Sequence, residues 1–199
     1  MAIEIELKAH VVDHRALKSR ISLLTSSSPL SFEKDDCYWV ATCNEVPQGI
    51  PKSGVRVRRE KHWRDEAEKE EKILITYKSK EIRDGIEIND EREFAVSNGE
   101  TFTELLKRLG LEPGIRKHKQ GWAWIYGNVH AELCEVSGLD RNLGWFAELE
   151  ILADDAGTET VAAARKQLLE LLEKLNISKD SIEERYYSEL LSPPMDPLT

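Results

Sequence analysis

Six short stretches of the chain carry charged side chains two residues apart: Glu4 and Glu6 with Lys8 beyond them, Arg56 and Arg58, Lys78 and Lys80, Glu91 and Glu93, Lys117 and Lys119, and Glu148 and Glu150. Two residues is the repeat of a β-strand, so each set stands on one face of its strand. Like charges spaced about 6.6 Å apart on such a face need counter-charges from another strand. Rows of lysine and arginine match the oxygens of a polyphosphate, and arginine adds a forked, two-point grip. Paired carboxylates supply the oxygen ligands that Mg2+ or Mn2+ takes, with water and substrate phosphate filling the remaining positions. Cations for phosphate and acids for metal together describe phosphoanhydride chemistry.

The elements that would position these rows follow from hydrophobic period and turn residues. Residues 3–9 alternate strictly, with Ile3, Ile5 and Leu7 opposite Glu4, Glu6 and Lys8. Asp13 is placed to cap a helix running to about Leu24, and Pro29 with its serines breaks that helix. Further strands are expected at 37–42, 55–60, 73–80, 86–96, 116–126, 129–136 and 145–152, with turns around Pro47, Gly49, Pro51 and Gly54 and at 138–144. The solvated run at 61–72 reads as a mobile surface loop. Apolar spacing predicts helices over 99–109 and 158–175, the second packed on the barrel by its leucines. Strands joined by short turns imply an antiparallel sheet. Eight of them can close into a barrel that holds one small ligand, which makes the fold class α+β with helices packed outside. If the ionic faces turn inward, the desolvation cost requires that water, metal or an anionic ligand occupy the centre.

Composition narrows the function. With 199 residues, 40% hydrophobic and 33% charged, the chain suits one globular domain over 1–191 with a flexible tail at 192–199. A net charge of -9 argues against nucleic acid or an anionic membrane as partner. No apolar run approaches the length of a membrane helix, and the acidic start is unlike a signal peptide, so a cytoplasmic protein is expected. Three cysteines, Cys37, Cys43 and Cys134, are too few and too scattered for a disulfide framework. Cys37, Cys43 and His62 fit no common zinc spacing, and His10, His14, His118 and His130 show no acid partner in sequence. There is no GxxxxGK[ST] loop. Trp39, Trp122 and Trp124 could stack on an organic head group, but buried aromatics are more often core.

The series of charged rows resembles the CYTH domains, or triphosphate tunnel metalloenzymes, which include class IV adenylate cyclases, thiamine triphosphatases and inorganic triphosphatases. The resemblance begins with the ExExK strand at Glu4, Glu6 and Lys8. It continues through GVRVRRE, LITYKSK, DEREF, IRKHKQ, LCEVSGL and FAELEI to SIEERYYSELL, over residues 1 to 191. It implies an eight-stranded antiparallel tunnel. Lys8, Arg56, Arg58, Lys78, Lys80, Lys117 and Lys119 would bind the triphosphate, and Glu4, Glu6, Glu148 and Glu150 would hold Mg2+ or Mn2+, with Glu91 and Glu93 as supporting acids. Three departures stand out. Cys134 occupies a position that is often acidic, and Glu132 on the same face is the candidate replacement as metal ligand. Residues 140–142 lengthen a usually tight turn, and Lys119 stands where arginine is common. The expected activity is metal-dependent hydrolysis of a triphosphate-containing small molecule by a monomer or homodimer, with Glu4, Glu6 and Lys8 at the catalytic centre. A class IV-type adenylate cyclase is the alternative enzyme, and a polyphosphate-binding module is the alternative without turnover.

Overall fold

In a computed structural model of the protein, residues 3–41, 54–65, 70–83 and 85–192 are described, except for the side chains of 78–80 and 83. The first strand, β1 (Ile3–Val11), leads to α1 (His14–Thr25), whose first turn is capped by Asp13 accepting from the Ala16 backbone N–H at 2.9 Å. Then come β2 (Leu30–Ala41), β3 (Val55–Trp63), β4 (Glu70–Arg83) and β5 (Ile86–Val96). Helix α2 (Gly99–Arg108) follows, capped by Asn98 and ended at Gly110, whose φ of 81° a residue with a Cβ rarely adopts. After β6 (Leu111–Tyr126), β7 (Val129–Ser137) and β8 (Asn142–Ala153) come α3 (Thr158–Lys174) and the five-residue α4 (Tyr187–Leu191).

The eight strands close into an antiparallel barrel in the order β1-β5-β4-β3-β2-β6-β7-β8. Hence β1 is hydrogen-bonded on both sides, to β5 through Glu4↔Asn89 and Glu6↔Glu87 and to β8 through Glu6↔Glu150 and Lys8↔Glu148. Closure gives every one of these strands a neighbour on each side.

The alternation of β1 determines which side chains go where. Ile5, Leu7 and Ala9 point out of the barrel into the main apolar core, with Leu133, Ala147, Leu149 and Ile151 from β7 and β8. Helices α1 and α3 cover this layer with Leu17, Ile21, Val161, Ala164, Leu168 and Leu172. Burial of each large side chain here stabilises by about 1.5–3 kcal/mol. A smaller cluster of Phe32, Cys134, Val136, Phe146, Tyr187 and Leu190 includes side chains that face inward.

Several strands are longer than their sequence signals. β2 begins at Leu30, directly after the serine-rich break, because Phe32 and Lys34 pair with His62 and Glu60 on the neighbouring β3. For the same reason Lys61–Trp63 and Glu70–Lys72 are strand and not loop. Ladder pairing outweighs their low intrinsic strand preference. Residues 66–69, the turn residues at 42–53 and all but Ser192 of the expected tail lie outside the described residues. No helix of the described chain is long and apolar enough to cross a membrane.

Candidate active site

The inner face of the barrel carries the charged rows. Lys8, Arg56, Arg58, Lys117, Lys119, Glu132 and Glu148 are all buried, and Lys8 is only 2% exposed. They open with Glu4, Glu6, Glu91, Glu93 and Glu150 onto one cavity of about 260 Å3, except that Lys8 stands behind its wall. Lys78 and Lys80 lie on β4 opposite Glu91 and Asn89, but their side chains are outside the described residues.

Each buried cation has an acid from another strand or its own. Arg58 grips Asp36 in a fork, with Nε to Oδ1 at 2.7 Å and Nη2 to Oδ2 at 3.0 Å, and Lys117 reaches the same carboxylate at 3.1 Å. Arg56 donates to Thr76 at 2.9 Å and to Glu91 at 3.0 Å, with Glu93 at 3.4 Å. Lys34 donates to Glu132 at 2.6 Å, and Lys8 pairs with Glu87. Lys119 bridges two carboxylates, Glu132 at 2.9 Å and Glu148 at 2.5 Å.

These contacts decide protonation. Burial pushes the Asp36 and Glu132 carboxyls up, but Arg58 beside the first and Lys119 and Lys34 beside the second hold both well below the usual range. Glu148 is likewise raised by burial, yet Lys119 brings it to about 2. The Lys119 ammonium, which burial alone would discharge, is held well above its ordinary value by the two carboxylates. All these groups are therefore ionised at neutral pH. The Tyr187 hydroxyl, buried beside Glu148, is raised well above its ordinary value and remains a donor.

The donor set suits a divalent cation and a phosphate chain. Nine carboxylates against five lysines and arginines line the cavity among the described residues, an excess of negative charge that added cations would offset. Ligand atoms of Glu132, Cys134 and Glu148 lie within 4.8 Å of one another. Two buried polar atoms near the cavity have no hydrogen-bond partner among the described residues: Arg56 Nε in the wall, a donor suited to a phosphate oxygen, and Asn89 Oδ1 behind Glu4, an acceptor suited to a cation. The Asn89 Nδ2 donates to Glu4 at 3.0 Å.

Cys134 does face the tunnel on the same side of β7 as Glu132, with Sγ 3.7 Å from Glu148 Oε1. Burial pushes its thiol well up, so it stays neutral and adds no charge where an acid would. Cys37 is half-buried, both described cysteines are free, and Cys43 lies outside the described residues. The three tryptophans do not line the cavity. Trp39 packs with Leu106 and Leu111, Trp124 belongs to the main core, and Trp122 stacks on Trp145 with centroids 5.6 Å apart.

Residues missed from sequence include Lys34, Asp36, Glu60, Glu87, Asn89 and Tyr187. Lys34 and Asp36 continue the row of Tyr38 at strand period, and Glu60 continues Arg56 and Arg58. Lys34 and Asp36 needed the longer β2, whereas Glu60 already lay within the expected strand at 55–60. With them, the rows on β2 and β3 carry both signs, so segregation of charge by strand is less complete than the isolated pairs imply. Three histidines find acids distant in sequence, His10 3.1 Å from Glu183, His118 2.8 Å from Asp35 and His130 3.9 Å from Glu150, and His62 lies 3.1 Å from Glu60 two residues back on its own strand.

Comparison with known proteins agrees with this architecture. A candidate adenylate cyclase of Methanocaldococcus jannaschii is 27% identical over 192 residues, covering 94% of this chain and 98% of the relative. A Pyrococcus horikoshii protein of known structure superposes with a TM-score of 0.73 at 23% identity, covering 94% of this chain and 97% of that one. A candidate adenylyl cyclase from Hippeastrum, described as having a dominant triphosphatase activity, does so with a TM-score of 0.55 at 15% identity, covering 98% of each chain. The CYTH domain model matches residues 2–187, and the chain belongs to that family.

Proposed function

We propose that the protein is a divalent-metal-dependent hydrolase of triphosphates, its substrate drawn from inorganic tripolyphosphate, thiamine triphosphate and nucleoside triphosphates. The observation that carries this reading is the closed tunnel in which buried lysines and arginines face an excess of carboxylates across one cavity. Family membership agrees, since CYTH enzymes act on triphosphates as triphosphatases or cyclases.

In this reading Arg56, Arg58, Lys78, Lys80, Lys117 and Lys119 bind the triphosphate, Lys8 supports the wall from behind through Glu87, and Glu4, Glu6, Glu132, Glu148 and Glu150 hold Mg2+ or Mn2+. A bound divalent cation would neutralise phosphate charge and lower the pKa of an attacking water. The ion pairs across the tunnel serve as internal stand-ins for ligand. When phosphate oxygens become the partners of Arg56, Arg58 and Lys117, the carboxylates those groups held lose their counter-charge, which an accompanying divalent cation would have to restore. Glu91 and Glu93 hold the Arg56 guanidinium from one side, leaving its unpartnered Nε for substrate. The chain's part in the reaction is thus to orient the phosphates in line and stabilise charge that moves to the leaving oxygen.

Hydrolysis is favoured over cyclisation because the cavity wall is predominantly ionic among the described residues. Tyr38, Leu74, His130, Tyr187 and Ser188 are its uncharged members, and none of the tryptophans offers a platform for a nucleobase. The Hippeastrum protein, with its dominant triphosphatase activity under a cyclase name, is a precedent for that outcome within the fold.

The test is to incubate the purified protein with each triphosphate and with Mg2+ or Mn2+, then identify the products. Metal-dependent orthophosphate release is expected, abolished by Glu4→Gln and by Arg56→Ala. Cyclic AMP with pyrophosphate would establish a cyclase instead, and metal-dependent binding without turnover would establish a binding module.

A further inference from the structure

Past α3 the chain returns to the barrel as a strap. Ile182 pairs with Ala9 of β1, and the Glu183 backbone N–H donates to the Lys8 carbonyl at 2.9 Å. The short helix α4 then starts, its first turn closed by the Tyr186 N–H donating to Glu189 at 2.6 Å. At its far end Arg141, in the lengthened turn between β7 and β8, donates to the Leu190 carbonyl at 2.8 Å and to the Ser192 carbonyl at 3.4 Å. Leu191 lies over Gly138 of the same turn, so closely that an added Cβ there would come within 2.9 Å of it.

The strap thereby inserts Tyr187 into the tunnel. Its ring meets Phe146 edge-on, with centroids 5.2 Å apart at 87°, and Lys117 Nζ stands 5.0 Å from the ring centre. Its hydroxyl donates to Glu148 Oε1 at 2.6 Å, while Lys119 occupies Oε2 at 2.5 Å. The two partners of Glu148 differ in what it costs to lose them. Lys119 has a second carboxylate, Glu132, at 2.9 Å and can withdraw from Oε2 without becoming unpaired. Tyr187 can leave Oε1 only if its ring leaves the Phe146 contact or the strap lifts.

We propose that Tyr187 is a positioning residue for Glu148, fixing one carboxylate oxygen so that the other is presented to a divalent cation, and that Arg141 is the latch that keeps it there. This rests on the reading of Glu148 as a metal ligand. Through Arg141 the turn between β7 and β8 thus acts on the strap. A hydrogen bond that orients a ligating carboxylate adds to metal affinity by sparing the ligand the cost of ordering.

The experiment is a direct titration of Mn2+, with free ion read by electron paramagnetic resonance, into the wild type and the Glu148→Gln, Tyr187→Phe and Arg141→Gln variants. No substrate or turnover is needed. Phenylalanine keeps the ring against Phe146 and removes only the hydroxyl. The expected result is weaker binding in Glu148→Gln, a rise of about tenfold in the dissociation constant for Tyr187→Phe, and a smaller rise for Arg141→Gln. Unchanged binding in Glu148→Gln would overturn the ligand reading and this inference with it. Weakened binding in Glu148→Gln with Tyr187→Phe unchanged would overturn the positioning role alone. Unchanged binding in Arg141→Gln would overturn the latch.

Discussion

Replacing Lys119 with methionine removes the ammonium that joins Glu132 to Glu148 while keeping a similar length of unbranched side chain. Breaking a buried ion pair by deleting one partner costs about 3–5 kcal/mol. Here the orphaned carboxylates keep other donors, Lys34 on Glu132 at 2.6 Å and the Tyr187 hydroxyl on Glu148 at 2.6 Å, so the lower figure applies. A loss of about 3 kcal/mol at pH 7 corresponds to a melting point lower by about 6–12 °C for a domain of this size.

The deficit should depend on pH in one direction. In the wild type Glu148 titrates at about 2, below its unfolded value, so its contribution is complete from neutrality down to the unfolded pKa. In the variant the dyad loses its main counter-charge, and one carboxyl is raised above its unfolded value. The folded variant then binds more protons than the unfolded chain between those two values, so its stability increases as pH falls across that interval. Calorimetric melts of both proteins without divalent metal, from pH 7.5 to about pH 4.5, read the difference. The gap in melting temperature should be widest at pH 7.5 and narrow on acidification. A variant as stable as the wild type at pH 7.5, or a gap that widens with acid, would refute the electrostatic reasoning.

Two further outcomes follow from the same geometry. In the wild type the depressed carboxyls of Asp36, Glu132 and Glu148 contribute stability that is complete above about pH 4 and lost as pH falls through their lowered folded values. The melting temperature should therefore be level from pH 7 to 5 and fall steeply below about 4, whereas a main loss centred between about 6 and 7 would point to histidines. Gly121→Ala should destabilise by about 1–3 kcal/mol in chemical denaturation, because its Cβ would stand 2.1 Å from the Leu133 carbonyl oxygen and force β6 away from β7. Unchanged stability would mean that the close approach of these strands is not maintained.

The sequence revealed most of the inner wall where a strand announced itself by clean alternation. Ile3 to Lys8 is such a segment, and so is 145–152; in both, the greasy face lies under helices and the ionic face in the tunnel. Glu87 and Asn89 on the expected strand 86–96 nevertheless went unnoticed, because they carry no like-charged neighbour at strand period. The sequence failed where long-range pairing, not local preference, makes the strand. Leu30 to Asp36 follows a serine-rich break and carries Glu33, Lys34, Asp35 and Asp36 in succession, a composition that reads as loop until β3 and β6 pair with it. Tyr187 gave no periodic signal because α4 has five residues, too few for a period, and its partner Glu148 is 39 residues away in the chain. Which base meets which acid depends on barrel register, which no single strand encodes.

Because β1 is flanked by β5 on one side and β8 on the other, the first residues of the chain are the keystone of the ring. Glu4 and Glu6 meet their neighbours on β5 only after about 80 residues have intervened and those on β8 only after about 140, so loop closure precedes any assembly of the centre. A partly folded chain holds scattered acids and bases but no cavity. Removing β1 would therefore take Glu4 and Glu6 from the cavity and open the whole cylinder at once, and the two losses would be inseparable.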